Sequence, residues 1–348
     1  MTDHLRTTIR AMAGYTPGEQ PRDGEFIKLN TNENPYPPSP RVFEALRDAL
    51  TGDRLRKYPD PVGTHFRQVA GRVLNVDPDG ILIGNGSDDV LTIVTRAFVP
   101  EGGLVASPSP SYLLYRTLAE LQGARFETVP FTADWGLLEP WPSERANLTF
   151  VPNPNSPSGT QVPTAALDRL RAMLRGPLVI DEAYVDFAEE DALGLVRSGK
   201  GVIVTRTLSK SYSLAGIRFG YLVADPALVR ELIKVKDSYN CDVLSQVAAA
   251  AALEDQEYLR ATRAKIIATR ARLERELAQL GFAVTPSRAN FVWCRHAERP
   301  AKAIYEELKR RRILVRYMNY AGYGDGLRVS VGSDAEIDRM MEELGRMA

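Results

Sequence analysis

Short apolar runs alternate with helical periodicity along most of this chain, and that alternation constrains the fold more than any other feature. The runs lie at 81–83, 104–106, 148–151, 178–180, 202–205 and 219–223. Apolar residues at helical spacing fill most of the intervals, as at 90–98 and 167–174. A continuously apolar strand is buried on both faces, and helices that return between strands supply the two covers. The pattern predicts an α/β fold whose sheet is mostly parallel. Near residue 245 the character changes: a long helix rich in Arg and Glu is expected over 257–280, then strands at 291–294, 313–315 and 327–331, with helices at 301–312 and 334–347. This reads as a smaller α+β unit. We expect a large α/β domain over 31–245, and a small domain over 246–348 that takes the N-terminal arm 1–30 with it. A length of 348 residues suits two such units.

Composition excludes several classes. Lys+Arg and Asp+Glu both number 44, so the net charge is zero. That argues against a dedicated nucleic-acid surface. The one dense basic block, Lys309-Arg-Arg-Arg312, ends a helical stretch, where cations are favoured. The N-terminus lacks the apolar core of a signal peptide, and no run approaches the roughly 20 apolar residues that span a bilayer. Two cysteines in unrelated contexts fit a reducing compartment, so a cytoplasmic protein without membrane contact is expected. The three histidines show no metal-ligand spacing.

Five segments carry residues suited to chemistry, most of them after predicted strands, where α/β folds place their sites. Arg206-Thr-Leu-Ser-Lys210 leads to Gly216-Ile-Arg218. It offers an amine able to condense with an aldehyde, and an arginine fork with hydroxyls for an anion. Asp181 ends a strand, three residues before Tyr184. A carboxylate there either caps a turn or keeps a proton on a ring nitrogen. Gly84-Asn-Gly-Ser-Asp88 opens a helix, so its backbone N–H groups could cradle a phosphate; the third glycine of a dinucleotide fingerprint is missing. Asn153-Pro-Asn-Ser-Pro-Ser-Gly159 is a turn or a rigid polar wall. Arg316 and Arg328 lie near small-unit strands and suit an anionic substrate if they face a cleft.

Taken with Asn30-Thr-Asn-Glu-Asn-Pro-Tyr36 and Lys57-Tyr-Pro-Asp60, the order and spacing of these segments resemble the fold-type I pyridoxal-phosphate aminotransferases, and within them the histidinol-phosphate aminotransferase family. The resemblance runs from Tyr15 to Gly332. It implies a large domain with a mixed, mostly parallel sheet, and pyridoxal 5′-phosphate as cofactor, held covalently by Lys210, which also moves the substrate proton. It implies Asp181 at the pyridine nitrogen, Tyr184 at the ring oxygen and Tyr112 stacked on the ring. Ser87, Asp88, Thr207, Ser209 and Arg218 would surround the phosphate, joined by Tyr58 from the second subunit of a homodimer. Tyr15, Asn32, Arg316 and Arg328 would meet the substrate. The family loop carries Asn directly before Pro-Thr-Gly. Here Ser156 holds that position and Ser158 replaces the Thr, so either Asn155 turns inward, which is the expectation, or the contact with the ring oxygen is weakened. The implied reaction is amino transfer between L-histidinol phosphate and 2-oxoglutarate by a ping-pong route. An aromatic amino-acid aminotransferase or a threonine-phosphate-type decarboxylase would share the cofactor residues.

Overall fold

A computed structural model describes residues 4–14, 18–20, 24–199 and 201–347. The strands, in chain order, are β1 (Ile27–Leu29), β2 (Ile81–Gly84), β3 (Leu104–Ser109), β4 (Arg125–Pro130), β5 (Leu148–Pro152), β6 (Leu178–Asp181), β7 (Val202–Thr207), β8 (Gly220–Val223), β9 (Phe282–Thr285), β10 (Phe291–His296), β11 (Ile313–Tyr320) and β12 (Gly324–Ser330). Seven form one sheet in the order β2-β8-β7-β6-β5-β3-β4. Neighbours from β7 to β4 pair in parallel, and β8 alone runs antiparallel between β7 and β2. The expected mixed, mostly parallel sheet is therefore present.

Alternate residues of its central strands feed two separate apolar cores. Leu178, Ile180, Val202 and Val204 face one, while Val179 and Ile203 face the other. That division is the physical content of the continuously apolar runs: each strand is covered by helices on both sides. Because the parallel strands share a direction, β3, β5, β6 and β7 all end at one edge. With β8 reversed between them, β2 ends at that edge too.

The second sheet, β1-β11-β12-β10-β9, packs against the helices Ala301–Arg310, Asp334–Gly345 and the C-terminal part of Gln256–Gln279. The helix Asp334–Gly345 starts with a reciprocal capping box between Ser333 and Glu336. Strand β1, which lies in the arm, pairs in parallel with β11, placing Leu29 opposite Val315. The arm's first helix, Thr7–Ala11, lies instead near Leu114–Leu121, beside the large sheet. The arm thus contacts both units. Three strands escaped the sequence reading. β1 is only three residues long with a lysine at its centre and β4 is an edge strand with mostly solvated side chains, so neither shows an apolar run; β9 carries a short one, Phe282–Val284, directly after the long helix. Among the described residues, no helix is long and apolar enough to cross a membrane.

Gly220 ties the sheet to the functional edge. It pairs with both Gly84 and Thr207, and a Cβ there would lie 2.5 Å from the Ser87 backbone nitrogen and 3.0 Å from the Arg206 carbonyl oxygen. Backbone cannot yield as a flexible side chain can. Gly220→Ala is expected to lower stability by about 2 kcal/mol, read as a reduced urea midpoint with an unchanged slope.

Candidate active site

The strand ends enclose a cavity of about 320 Å³, within the usual range for a small-molecule site. Its wall contains Asn32, Ser87, Asp88, Tyr112, Asp181, Tyr184, Thr207, Ser209, Lys210, Arg218, Arg316 and Arg328. Residues far apart in sequence are thus gathered at one edge.

The floor is Asp181, the last residue of β6. Tyr115 donates to its Oδ2 at 2.7 Å, while Thr205 Oγ1 and the Ala183 N–H reach Oδ1 at 3.3 Å. Burial pushes the Asp181 carboxyl up to about 6, although the Tyr115 and Thr205 hydrogen bonds favour its charged form. Tyr115 is itself fixed by stacking on Phe150, with centroids 4.6 Å apart. A buried carboxylate supported in this way suits a cationic ring N–H better than water.

At one end, helix Ser87–Phe98 begins after Gly86, whose φ is +84° and which supplies no side-chain cap. The first N–H groups are therefore available to an anion, where the helix dipole favours one. Arg218, held in the left-handed region at φ +56°, spreads its guanidinium over this turn. A Cβ on Gly86 would lie 2.6 Å from Arg218 Nη2, so only glycine lets the arginine approach. Ser209 Oγ lies 3.5 Å from Arg218 Nη1, and Thr207 Oγ1 donates to Ser209 Oγ at 3.0 Å. Tyr112 donates to Asp88 at 3.2 Å, which sets its ring at the cavity wall.

Lys210 reaches across the cavity, its Nζ donating to the Thr31 carbonyl at 3.3 Å and lying 5.8 Å from the Tyr184 ring centroid. Asn34 Nδ2 holds the Lys210 and Ser211 carbonyls at 3.2 and 3.0 Å, so the lysine backbone is pinned from the opposite side. The phenol oxygen of Tyr184 accepts from Asn32 Nδ2 at 2.9 Å.

The far wall comes from the small sheet. Arg316 and Arg328 are directly opposite in the β11–β12 register, and both line the cavity. Like charges placed opposite each other repel, so an anion between them is stabilising. Arg328 is aimed by Ser156 Oγ and the Asn30 carbonyl, each at 2.9 Å.

Three expectations fare differently. Asn155 does not turn into the cavity. It is buried behind the wall, its NH₂ spent on the Pro110 carbonyl at 3.2 Å and Ser158 Oγ at 2.8 Å. Ser156 takes the wall position and meets Arg328 instead. Local spacing around the loop's prolines could not show which residue faces in. Tyr58 is outside the cavity, 81% exposed and stacked on Tyr239. Tyr15 lies outside the described residues. Gln20, Leu113, Met318 and Tyr320 line the cavity without having been singled out. Met318 and Tyr320 follow Arg316 at the period-two spacing of one strand face, the signal that could have found them.

A phosphorylated pyridine aldehyde fits this donor set. There is an amine for the aldehyde, a buried carboxylate for the ring nitrogen, a phenol beside it, and a helix N-terminus with arginine and hydroxyls for the phosphate. The glycine cradle that a Cβ would fill lies at that last position.

Comparison with known proteins agrees. The family model described as aminotransferase class I and II matches residues 24–344. A histidinol-phosphate aminotransferase from Rhodopirellula baltica is 53% identical over 339 residues, covering 97% of this chain and 93% of that protein. Histidinol-phosphate aminotransferase 1 of Trichormus variabilis is 48% identical, covering 97% and 96%. The crystal structure of histidinol-phosphate aminotransferase from Sinorhizobium meliloti in complex with pyridoxal-5′-phosphate superposes with a TM-score of 0.88 at 29% identity, covering 99% of this chain and 98% of that one.

The raised carboxyl gives a pH signature in the ligand-free protein. A carboxyl raised from 3.8 to about 6 stabilises the fold fully below the lower value, and that contribution is lost as pH rises through the higher one. Wild type is expected to lose up to about 3 kcal/mol more than Asp181→Asn between those limits, measured by urea unfolding across the pH range. Parallel curves for the two proteins would show that Asp181 titrates normally.

Proposed function

The chain belongs to the aminotransferase class I and II family, and we propose that it uses pyridoxal 5′-phosphate to move an amino group between L-histidinol phosphate and 2-oxoglutarate. The observation that carries this reading is the juxtaposition of two half-sites. One has an amine, a buried carboxylate and a phosphate cradle on the large sheet; the other has two arginines in direct register on the small sheet.

The residues divide the work by their chemistry. Ser87 and Asp88, through backbone N–H groups, would hold the cofactor phosphate together with Thr207, Ser209 and Arg218. Asp181 would keep a proton on the ring nitrogen, ionising beside it because an adjacent cation offsets the cost of burial. Tyr184 would donate to the ring oxygen, and Tyr112 would cover the ring face. When bound, the cofactor supplies an electron sink for the pair left on the substrate carbon as its α-proton departs. Lys210 would take that proton and return it, as base and then acid. Arg316 and Arg328 would bind the substrate anion. A phosphate ester and a dicarboxylate both present oxygens to a guanidinium fork, so one arginine pair serves both in turn. Sequential use of one pocket is ping-pong.

We also propose a homodimer in which Tyr58 reaches the partner's phosphate site. Tyr58 and Tyr239 stack on each other while exposed, and Leu55 and Leu113 are also exposed, Leu113 at the cavity wall. A second copy would cover exposed apolar side chains of this kind. We assign the cofactor domain to 31–245 and the smaller domain to 246–348 with the arm. Two buried free thiols agree with a cytoplasmic setting.

The protein loaded with cofactor is expected to accept an amino group from glutamate and pass it to imidazole-acetol phosphate, followed by absorbance in each half-reaction. Lys210→Ala should lower turnover by about 10³-fold or more. Amino transfer from glutamate to aromatic oxo acids, but not to imidazole-acetol phosphate, would refute the assigned substrate and leave the family unaffected.

A further inference from the structure

We propose that Ser330 is a positioning residue which, through Asn32, sets the direction in which the Tyr184 hydroxyl donates. The inference rests on the proposed cofactor role of Tyr184.

Ser330 ends β12 and is buried, and its hydroxyl belongs to a closed hydrogen-bond circuit. The Asn32 backbone N–H donates to Ser330 Oγ at 2.8 Å. The single hydroxyl proton of Ser330 then goes to Asn32 Oδ1 at 2.9 Å. With its oxygen engaged there, the Asn32 amide must present its NH₂ on the other side, where Nδ2 donates to the Tyr184 phenol oxygen at 2.9 Å. An amide orientation is read from its network, and here the serine closes that network. The phenol accepts from the protein, so its own proton is directed away from Asn32 and is free for the cavity.

The segment that carries this circuit is held rigidly. Asn32 sits at φ +56°, and its carbonyl accepts from Asn290 Nδ2 at 3.0 Å. One residue earlier, the Thr31 carbonyl accepts from Lys210, and the Asn30 carbonyl accepts from Arg328. Arg328 and Ser330 alternate on one face of β12, so this strand fixes the segment at two points. Three consecutive residues therefore contact the substrate arginine, the catalytic lysine and the ring-oxygen tyrosine. Among the described residues, the Asn32 amide oxygen takes its hydrogen bond from a hydroxyl of the small sheet, and this fixes which side the NH₂ presents to Tyr184.

A donor at the cofactor's ring oxygen stabilises its anionic form, so a weakened donor raises the pH at which the bound cofactor loses its proton and changes colour. The test is a pH titration of visible absorbance on the cofactor-loaded protein. Ser330→Ala is expected to raise the midpoint by about half a pH unit, the size one neutral hydrogen bond supports. Tyr184→Phe should raise it further, and the double variant should match Tyr184→Phe alone, because both changes act through one group. Asn32→Gly tolerates the positive φ, removes the same donor and should reproduce the Ser330→Ala shift if that variant does not load. An unmoved midpoint in Ser330→Ala or its substitute, or shifts that add in the double variant, would overturn the relay while leaving Tyr184 in its place. An unmoved midpoint in Tyr184→Phe overturns both. A protein that takes up no cofactor refutes the proposed function itself.

Discussion

The passage of residues 27–34 between the two sheets is the constraint on which the rest of the molecule depends. Leu29 is a rung of the small sheet, opposite Val315. Asn34, five residues on, holds the backbone of Lys210 and Ser211 beyond the edge of the large sheet. Between them Asn30, Thr31 and Asn32 meet Arg328, Lys210, Tyr184 and Ser330. Backbone polar groups with no ladder partner at this depth need side chains to satisfy them. Two of those side chains, Lys210 and Arg328, also line the candidate site, so one set of contacts serves the backbone and the cavity wall together.

Electrostatics organises the cavity in a complementary way. Its floor is a buried carboxylate, its far wall is a pair of arginines in register, and one end is a helix N-terminus crossed by a third arginine. Each arrangement has a charge preference: a desolvated acid, two cationic side chains in register, and N–H groups at a helix start. A ligand with a cationic ring nitrogen and a phosphate, followed by an anionic substrate, would match all three. Behind the floor, Arg206 is buried between Glu182 at 2.7 Å and Asp191 at 2.9 Å, which braces the strand ends β6 and β7 from the side away from the cavity.

Much of the site was legible because its residues follow strands. Asp181 and the turn Gly84–Gly86 sit directly after an apolar run and Lys210 lies five residues beyond one, and parallel strands bring such positions to one edge by geometry alone. Arg316 and Arg328 were legible as residues of strands but not as a pair, because register is a long-range property. Asn155 was misjudged because a proline-rich loop has no periodicity from which to read the inward face. Ser330 and Tyr115 gave no signal, since their role is to hold another side chain, and only coordinates show which.

Sequence alone determined what local physics controls: the apolar runs that must be strands buried on both faces, the helices between them, the glycine turn that admits an anion, and the residue types able to hold an amine-reactive, phosphorylated ring. Tertiary structure decided what depends on contacts between distant segments. These are the reversed strand β8 in a parallel sheet, the arm strand β1 joining the small sheet, Ser156 rather than Asn155 at the wall, and the arginines facing each other. Partners hundreds of residues apart leave no spacing pattern in the chain, because their meeting is set by packing and register and not by propensity.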